Sequence, residues 1–397
     1  MRTLNPTIDL QVEVGRQIYA ALQGDILLDI NRVCSGNGYM IFQQSVNDSN
    51  NLRILPNTLP KIHQICMEVV EKLDFKEPLD FYVAGDSCIN AHSIATNGND
   101  VPNQIVLNSA LVNLMSTDEL KYVIGHEIGH LINGDTELRT LESFVYPTPD
   151  DEPDYISVRT SLYDHLAELG ADRYGYMACE NLDACITACY KLASGLDLTD
   201  VSIEGLIKEA YDRVEDFFNG KLDLFGNDHP AVPMRVIALH AFATAKTEAA
   251  LDKVMKPIIE FTFAQTEEDI LFAEFAAAAG LYMAKLDGKI DNSERAYIIE
   301  KIGDGHLFPE HFLKEVEKGG QITQIFDKAV EDLISHYPED GRRMVEFFIE
   351  LAMVDKNLTR EEVDYIFKFA RSVSFSDYET AQILRDKIRE KYVPKTL

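Results

Sequence analysis

The sequence contains no tryptophan and little cysteine. Six cysteines in 397 residues, without a paired framework of spacings, are typical of a reducing compartment in which thiols stay free. Three of them cluster, at Cys179, Cys185 and Cys189, but their gaps do not match a zinc ribbon, so we expect buried thiols there. No basic region followed by an apolar run opens the chain, and we therefore expect a cytoplasmic protein rather than a secreted one.

Basic residues and long apolar runs are scarce as well. Acidic residues outnumber basic ones by 66 to 37, and the formal charge of −29 repels phosphate backbones, so no nucleic-acid partner is expected. The most apolar helical stretch, LFAEFAAAAGLYMA from Leu271, is interrupted by Glu274 and is shorter than the roughly 20 residues that cross a bilayer. No transmembrane segment is predicted.

The remaining composition, 46% apolar and 26% charged, is that of a globular protein whose length favours two or three domains. Before about residue 115 the pattern is mixed, with helices predicted at 8–22 and 59–73 and with strands at LDFYVAG and NQIVLNSALV. From there on the pattern is helical to the end of the chain. We predict three parts: an N-terminal helical extension (1–55), a central domain (56–250) and an all-α domain (260–397).

The stretch VIGHEIGHLINGD, residues 123–135, has two histidines four positions apart with a glutamate directly after the first. A capping box, STDE at 116–119, precedes it and an Asn-Gly pair ends it, so a helix is predicted between them. On one face of that helix His126 and His130 can reach a single tetrahedral zinc ion. Glu127 would then lie beside the open coordination position, where it can take a proton from water.

The HExxH pattern has only three fixed positions in five residues, so it recurs by chance in helices that bind no metal. A third ligand therefore decides whether this helix carries a metal site. The pattern with a third histidine six residues on would need His where this chain has Thr136. The segment HLAELGADRYG instead offers Glu168 as a zinc ligand, with Asp172 one turn later to hold a ligand histidine. Asp164 and His165 are rival ligands.

An exposed acidic helix face is the alternative explanation for Glu168 and Asp172 in so acidic a chain. Small residues at neighbouring positions of both segments argue against it, and they are Gly125, Gly129, Ala167, Gly170, Ala171 and Gly175. With such residues between them, two helices could approach closely.

Four segments in this order, INAHSIATNG, STDELKYVIGHEIGHLINGD, HLAELGADRYGY and HPAVPMRVIAL, resemble the gluzincin metallopeptidases related to CAAX prenyl proteases and the heat-shock membrane protease HtpX. The resemblance implies an α+β, predominantly helical fold of the zincin type, with a small sheet beside the HExxH helix and one Zn²⁺ per chain. It also implies that Asn90 and Ala91 lie on a strand beside the cleft, and that His229 and Arg235 steady the oxyanion of the tetrahedral intermediate. From the residues alone, DHPAVPMR could also be a turn that leads into a helix.

The C-terminal part has its own resemblance. AAAAGLYMAKLDGKIDNSERAYI is similar to the TerB-like helical domains of tellurite resistance, and DKNLTREE fits their pseudo-repeat. The resemblance implies an additional divalent ion, with ligands drawn from Asp287, Asp291, Glu294, Asp355 and Glu362. The alternative is an Asp that caps a helix, followed by a Glu in the first turn.

Together these patterns predict a soluble zinc endopeptidase that acts on a protein or peptide and whose helical tail regulates it or recruits substrate. A binding or scaffold protein that keeps zinc for stability is one alternative, although a purely structural site has no need of the general base Glu127. A latent peptidase that waits for an effector is another, and the sequence does not separate it from a constitutive enzyme.

Overall fold

The computed structural model describes residues 4–96, 101–148, 152–198, 200–219, 229–263, 266–287, 291–354 and 358–392. It divides into two compact units, Met1–Thr262 (unit 1) and Phe263–Leu397 (unit 2).

Unit 1 combines helices with one small sheet. Its helices are α1 (Asp9–Ala21), α2 (Gly24–Asn50), α3 (Pro60–Lys72), α4 (Ser109–Leu114), α5 (Thr117–Asn133), α6 (Asp135–Val145), α7 (Asp154–Cys179), α8 (Leu182–Ser194), α9 (Ile203–Phe218), α10 (Val232–Thr244) and α11 (Glu248–Thr262). Its strands are β1 (Leu52–Arg53), β2 (Leu79–Ala84), β3 (Ala91–Ile94) and β4 (Asn103–Asn108).

The sheet has the strand order β1-β2-β4-β3. Its central pair, β2 and β4, is parallel with Phe81 opposite Ile105, whereas β1 and β3 pair antiparallel with their neighbours. All six residues of β4 are buried, which explains why NQIVLN reads as a continuous apolar run. Strand β3 is at the edge of the sheet and packs beside α5, so the sheet lies next to the helix that carries the two histidines.

Helices α5 and α7 pack backbone against backbone. A Cβ atom added at Gly129 would lie 2.9 Å from the Cβ of Tyr174 and 3.0 Å from the Cα of Ala171. A Cβ at Gly175 would lie 2.6 Å from the ring of Tyr122. All three distances are shorter than ordinary atomic contacts, so only glycine at these positions permits the observed approach of the two helices.

The ends of α5 are fixed by local sequence. At the N-terminus, Ser116 and Glu119 form the predicted capping box. The carboxylate of Glu119 also pairs with the buried Lys191 at 3.0 Å and accepts a hydrogen bond from Thr187 at 2.6 Å, and these contacts attach α5 to α8. At the C-terminus, Gly134 has a left-handed φ of 74°, which ends the helix.

Helix α2 lies within the predicted N-terminal helical extension, but its bounds were not predicted from the sequence. Its 27 residues run through NRVCSGNGYM, in which Ser, Asn and two Gly residues are poor helix formers. The helices α1 and α3 and the strand β2 agree with the sequence-based expectation. Of the predicted strand NQIVLNSALV only the first six residues form β4, because Ser109 begins helix α4.

Unit 2 is helical in the part of the chain that the structure describes, apart from loops and one 3₁₀ turn at Pro338–Asp340. Its helices are α12 (Glu267–Asp287), α13 (Asn292–Gly303), α14 (Pro309–Lys318), α15 (Ile322–His336), α16 (Gly341–Ala352), α17 (Arg360–Ser372) and α18 (Asp377–Tyr392). The fully buried ring of Phe275 contacts the rings of Phe347, Phe348 and Phe369 at the centre of this unit. The predicted fold class, a predominantly helical α+β protein with an all-α part after it, is confirmed.

None of the described helices in either unit combines the length and the apolar character that crossing a membrane requires.

The acidic residues proposed for a second ion act as helix caps wherever the structure describes them. Asp291 caps α13, and its backbone N–H donates to the carboxylate of Glu294 at 2.8 Å. At the start of α17 the backbone N–H of Thr359 donates in the same way to the carboxylate of Glu362 at 2.6 Å. Asp355 and the side chain of Asp287 lie outside the described residues. The capping alternative therefore accounts for the described members of the set, and the second ion stays a prediction, as does the TerB-like resemblance.

We expect a chain cut after Thr262 to fold on its own, because α11 packs on α7 and α10 and buries Leu251, Met255 and Ile258. Size-exclusion chromatography and circular dichroism should show a soluble, helical protein that melts cooperatively. A matched chain cut after Ala245 lacks α11 and should aggregate or melt at a lower temperature. Precipitation of both chains would mean that unit 1 needs the rest of the protein in order to fold.

Candidate active site

Three side chains from α5 and α7 converge in the interior of unit 1. The Nε2 atoms of His126 and His130 lie 3.1 Å apart, and the carboxylate oxygens of Glu168 lie 3.5 Å from each of them. All three residues are buried, and their ligand atoms lie within 4.8 Å of one another. Among the described residues this is the one group of His, Cys, Asp or Glu side chains with the spacing of a metal site.

The opposite nitrogen of each imidazole faces a carboxylate. His126 Nδ1 lies 2.9 Å from Asp172, and His130 Nδ1 lies 2.8 Å from Asp135. If each Nδ1–H donates to its carboxylate, both Nε2 atoms carry lone pairs that point toward each other and toward Glu168. Three electron-rich atoms so arranged repel one another unless a cation lies between them, so the donor set fits a bound metal ion.

The pKa values of these side chains show the same demand for positive charge. Burial by itself would lower the pKa of His126, but its contacts with Asp172 and Glu168 raise it to about 10. Burial would raise the pKa of Glu168, yet the neighbouring His126 and His229 hold it well below its usual range. Two imidazoles and one carboxylate are a ligand set that zinc favours in hydrolytic sites.

Asp172 joins several elements at one carboxylate. It accepts hydrogen bonds from Nε and Nη2 of Arg235, at 2.9 and 2.6 Å, and from the hydroxyl of Tyr122 at 2.6 Å. Although burial opposes ionisation, Arg235 and His126 hold the pKa of Asp172 well below its usual range. The carboxylate is therefore charged and fixed, and it can orient His126 as the sequence analysis predicted.

The His-Pro element before α10 also reaches the site. Nδ1 of His229 lies 3.3 Å from Glu168, and the side chain is 60% exposed. Arg235 is much less accessible, at 13%, and its Nη1 lies 3.7 Å from Glu168. The structure thus places both residues beside the proposed ligand, which a turn with no other role would not require.

Asp135 was missed by the sequence analysis. Besides His130, it contacts Gln11 of α1, whose Nε2 donates to Oδ1 at 2.7 Å, and Tyr163 of α7, whose hydroxyl donates to the same oxygen at 2.7 Å. The available signal was an acidic residue directly after the glycine that ends α5 and five positions after His130. That spacing returns the carboxylate to the last turn of the helix.

The remaining predicted residues occupy the following places. Glu127 is buried on α5 and lies between the two histidines in the sequence. Asn90 directly precedes β3, and Ala91 is the first residue of that strand. Of the rival ligands, Asp164 pairs with Arg139 at 3.0 Å, and neither it nor His165 belongs to the converging group.

Residues 56–147, which include both histidines and Glu127, match the sequence model of Peptidase family M48. The chain is related to the M48 metallopeptidases.

Individual curated proteins are also similar to parts of this chain. One is the plastoglobule-localized metallopeptidase 48 of Arabidopsis thaliana chloroplasts, 26% identical over 161 residues, which are 38% of this chain and 44% of that protein. Protease HtpX homologs of Helicobacter acinonychis (strain Sheeba) and Helicobacter pylori (strain Shi470) are each 32% identical over 106 residues, or 26% of this chain and 31% of theirs. The chain thus spans less than half the length of these relatives. No solved structure gives a significant match.

We expect Asp135→Asn to lower the affinity of the M48-like site for Zn²⁺ by about 10- to 100-fold, because the amide no longer fixes the tautomer of His130. Competition with a chromophoric chelator measures this affinity. Asp164→Asn removes a carboxylate that pairs with Arg139 instead and should leave the affinity unchanged. Equal losses in the two variants would point to net charge rather than to orientation of His130.

Proposed function

We propose that the protein is a zinc-dependent endopeptidase in which His126, His130 and Glu168 hold the metal. The observation that carries this proposal is the buried group of two imidazoles and one carboxylate, whose outer nitrogens are both fixed by Asp172 and Asp135. The match to Peptidase family M48 supports the same reaction class.

Zn²⁺ at such a site supplies Lewis acidity, which lowers the pKa of water and polarises a carbonyl group. The protein supplies the base. Glu127 follows His126 directly on α5, and we assign it the role of accepting the proton of the attacking water and passing it to the leaving amine.

Strand β3 supplies a surface for the substrate. It forms the edge of the sheet beside α5, and its Ala91 pairs with Leu107 of β4 on the inner side. An extended peptide can add to such an edge through backbone hydrogen bonds. Asn90 and Ala91 would then align the peptide with the metal, which fits a protein or peptide substrate held in an extended conformation.

We assign different roles to His229 and Arg235 on the basis of their contacts. Arg235 directs two nitrogens to Asp172, so we assign it to the positioning of that carboxylate and, through it, of His126. His229 is the more exposed of the two and its Nδ1 lies 3.3 Å from Glu168, so we assign it the role of donor to the developing oxyanion.

We expect Glu127→Gln to reduce cleavage of casein by about 10²- to 10⁴-fold while zinc content stays the same, because the amide cannot accept the proton. Activity of the wild-type protein should disappear with a chelator and return with Zn²⁺. Glu71→Gln, an exposed glutamate on α3, serves as the control and should retain full activity. A protein that binds zinc but never cleaves casein would instead be a binding protein with a retained metal site.

We expect His229→Ala to lower kcat by about 10²-fold with little change in zinc affinity, through loss of the oxyanion donor. Arg235→Lys keeps the charge but loses the paired hydrogen bonds to Asp172. In this variant we expect the affinity for zinc to fall together with kcat, because His126 is no longer held in place. Chelator competition and steady-state kinetics on one peptide separate the two effects. If Arg235→Lys lowers kcat and leaves zinc affinity intact, then Arg235 serves the oxyanion directly.

We assign unit 2 the role of regulating the peptidase or recruiting its substrate. The free thiols suit a cytoplasmic location. Comparison of the chain cut after Thr262 with the full chain tests this role. Higher activity of the shorter chain would indicate that unit 2 restrains the site, and a loss confined to large substrates would indicate recruitment. Equal activity on all substrates would remove both roles.

A further inference from the structure

Two cysteine sulfurs lie almost in contact at the junction of α7 and α8. The Sγ atoms of Cys179, the last residue of α7, and Cys185, in the first turns of α8, are 3.3 Å apart. Both thiols are free in this structure. A disulfide bond has a length of about 2.05 Å, so the sulfurs need to approach by little more than 1 Å, which side-chain rotation can supply.

The turn between the two helices is firmly placed. Glu180 adopts a left-handed φ of 51°, and Asn181 caps α8 while its side-chain amide donates to Asp118 of α5 at 2.8 Å. Lys72 of α3 pairs with Glu180 at 2.9 Å. A fixed turn of this kind keeps the two thiols adjacent, so a disulfide would require no rearrangement of the backbone contacts.

The two sulfurs differ in reactivity. Cys179 is partly accessible, and the hydrogen bond from the thiol of Cys185 lowers its pKa, whereas burial raises the pKa of Cys185. A lowered pKa together with access to solvent is the signature of an attacking thiolate, and a nearby protected thiol is the signature of a resolving partner. By contrast, burial raises the pKa of Cys66 to about 12.

We propose that Cys179 and Cys185 form a reversible redox site whose oxidant is a hydroperoxide. The thiolate of Cys179 attacks one peroxide oxygen, an S–O bond forms and the O–O bond breaks. The leaving hydroxide or alkoxide takes a proton and becomes water or an alcohol. The thiol of Cys185 then attacks the sulfenic sulfur of Cys179. The S–S bond forms, the S–O bond breaks, and hydroxide leaves with the proton of Cys185 as water. Two thiols lose two electrons, and the peroxide is reduced.

The disulfide would join the end of the helix that carries Glu168 and Asp172 to the helix that carries Cys189. Cys189 itself is engaged elsewhere, because its sulfur lies 3.1 Å from the hydroxyl of Tyr122, which donates to Asp172. Oxidation of the pair therefore changes no proposed metal ligand, and zinc should remain bound.

The test uses the full-length reduced protein and a small excess of hydrogen peroxide, followed by alkylation with N-ethylmaleimide and intact-mass measurement. We expect two thiols per chain to become unreactive and to return with dithiothreitol, with zinc content unchanged. Cleavage after Glu180 separates Cys179 from Cys185, so the linked peptides identify the pair without any substitution. Oxidation of the exposed Cys88 with Cys179 and Cys185 both still alkylated would overturn the proposal.

Single substitutions of the cysteines show which thiol attacks the peroxide and which resolves the sulfenic acid. In Cys185→Ser the disulfide cannot form, and dimedone should label Cys179 as a sulfenic acid, whereas Cys179→Ser should give neither product. Cys189→Ser and Cys88→Ser should form the disulfide as the wild type does. Loss of the linked peptides in Cys189→Ser with their persistence in Cys185→Ser would make Cys189 the partner and would refute the assignment.

Discussion

The close contact between α5 and α7 brings together the three side chains that are proposed to hold a metal ion. Glycine at positions 129 and 175 removes the side chains that would separate the helices, so Glu168 on α7 comes within 3.5 Å of both imidazoles on α5. The same approach lets Tyr122 of α5 donate to Asp172 of α7. A ligand side chain has only a few ångströms of reach, and the helices must therefore be placed before the ligands can meet.

Such close packing concentrates negative charge on buried side chains. Glu168, Asp172 and Asp135 are all buried, and an unpaired carboxylate is costly in such a place. Arg235 compensates Asp172, while the hydroxyl of Tyr163 and the amide of Gln11 support Asp135. The charge of Glu168 is balanced by the neighbouring histidines and by Arg235 at 3.7 Å, and the proposed cation would balance it further.

The sequence was sufficient where the information is local. The capping box at Ser116, the glycine that ends α5 and the i, i+4 spacing of the histidines all lie within 20 residues, and each was read correctly at the level of structure. Glu168 and Asp172 could be proposed because one turn of helix relates them and because small residues surround them. The structure brings both to the histidines.

What escaped sequence analysis depends on contacts between distant segments. Asp135 accepts a hydrogen bond from Gln11, which lies 124 residues earlier, and no periodicity of the sequence predicts such a contact. The assignment of Arg235 to Asp172 likewise required the relative placement of α7 and α10. The bounds of helix α2 were not predicted for a different reason, since tertiary packing can sustain a helix whose Ser, Asn and Gly residues have low intrinsic propensity.

The hydrogen bond from Gln11 to Asp135 means that the contacts behind His130 begin in α1, well before residue 56, where the match to the peptidase family starts. Loss of α1 from the chain would leave His126, His130 and Glu168 in the sequence and still remove one of the supports of the carboxylate that faces His130. The N-terminal helix is thus a remote determinant of the proposed metal site, and the residues that match the peptidase family are not sufficient to define that site.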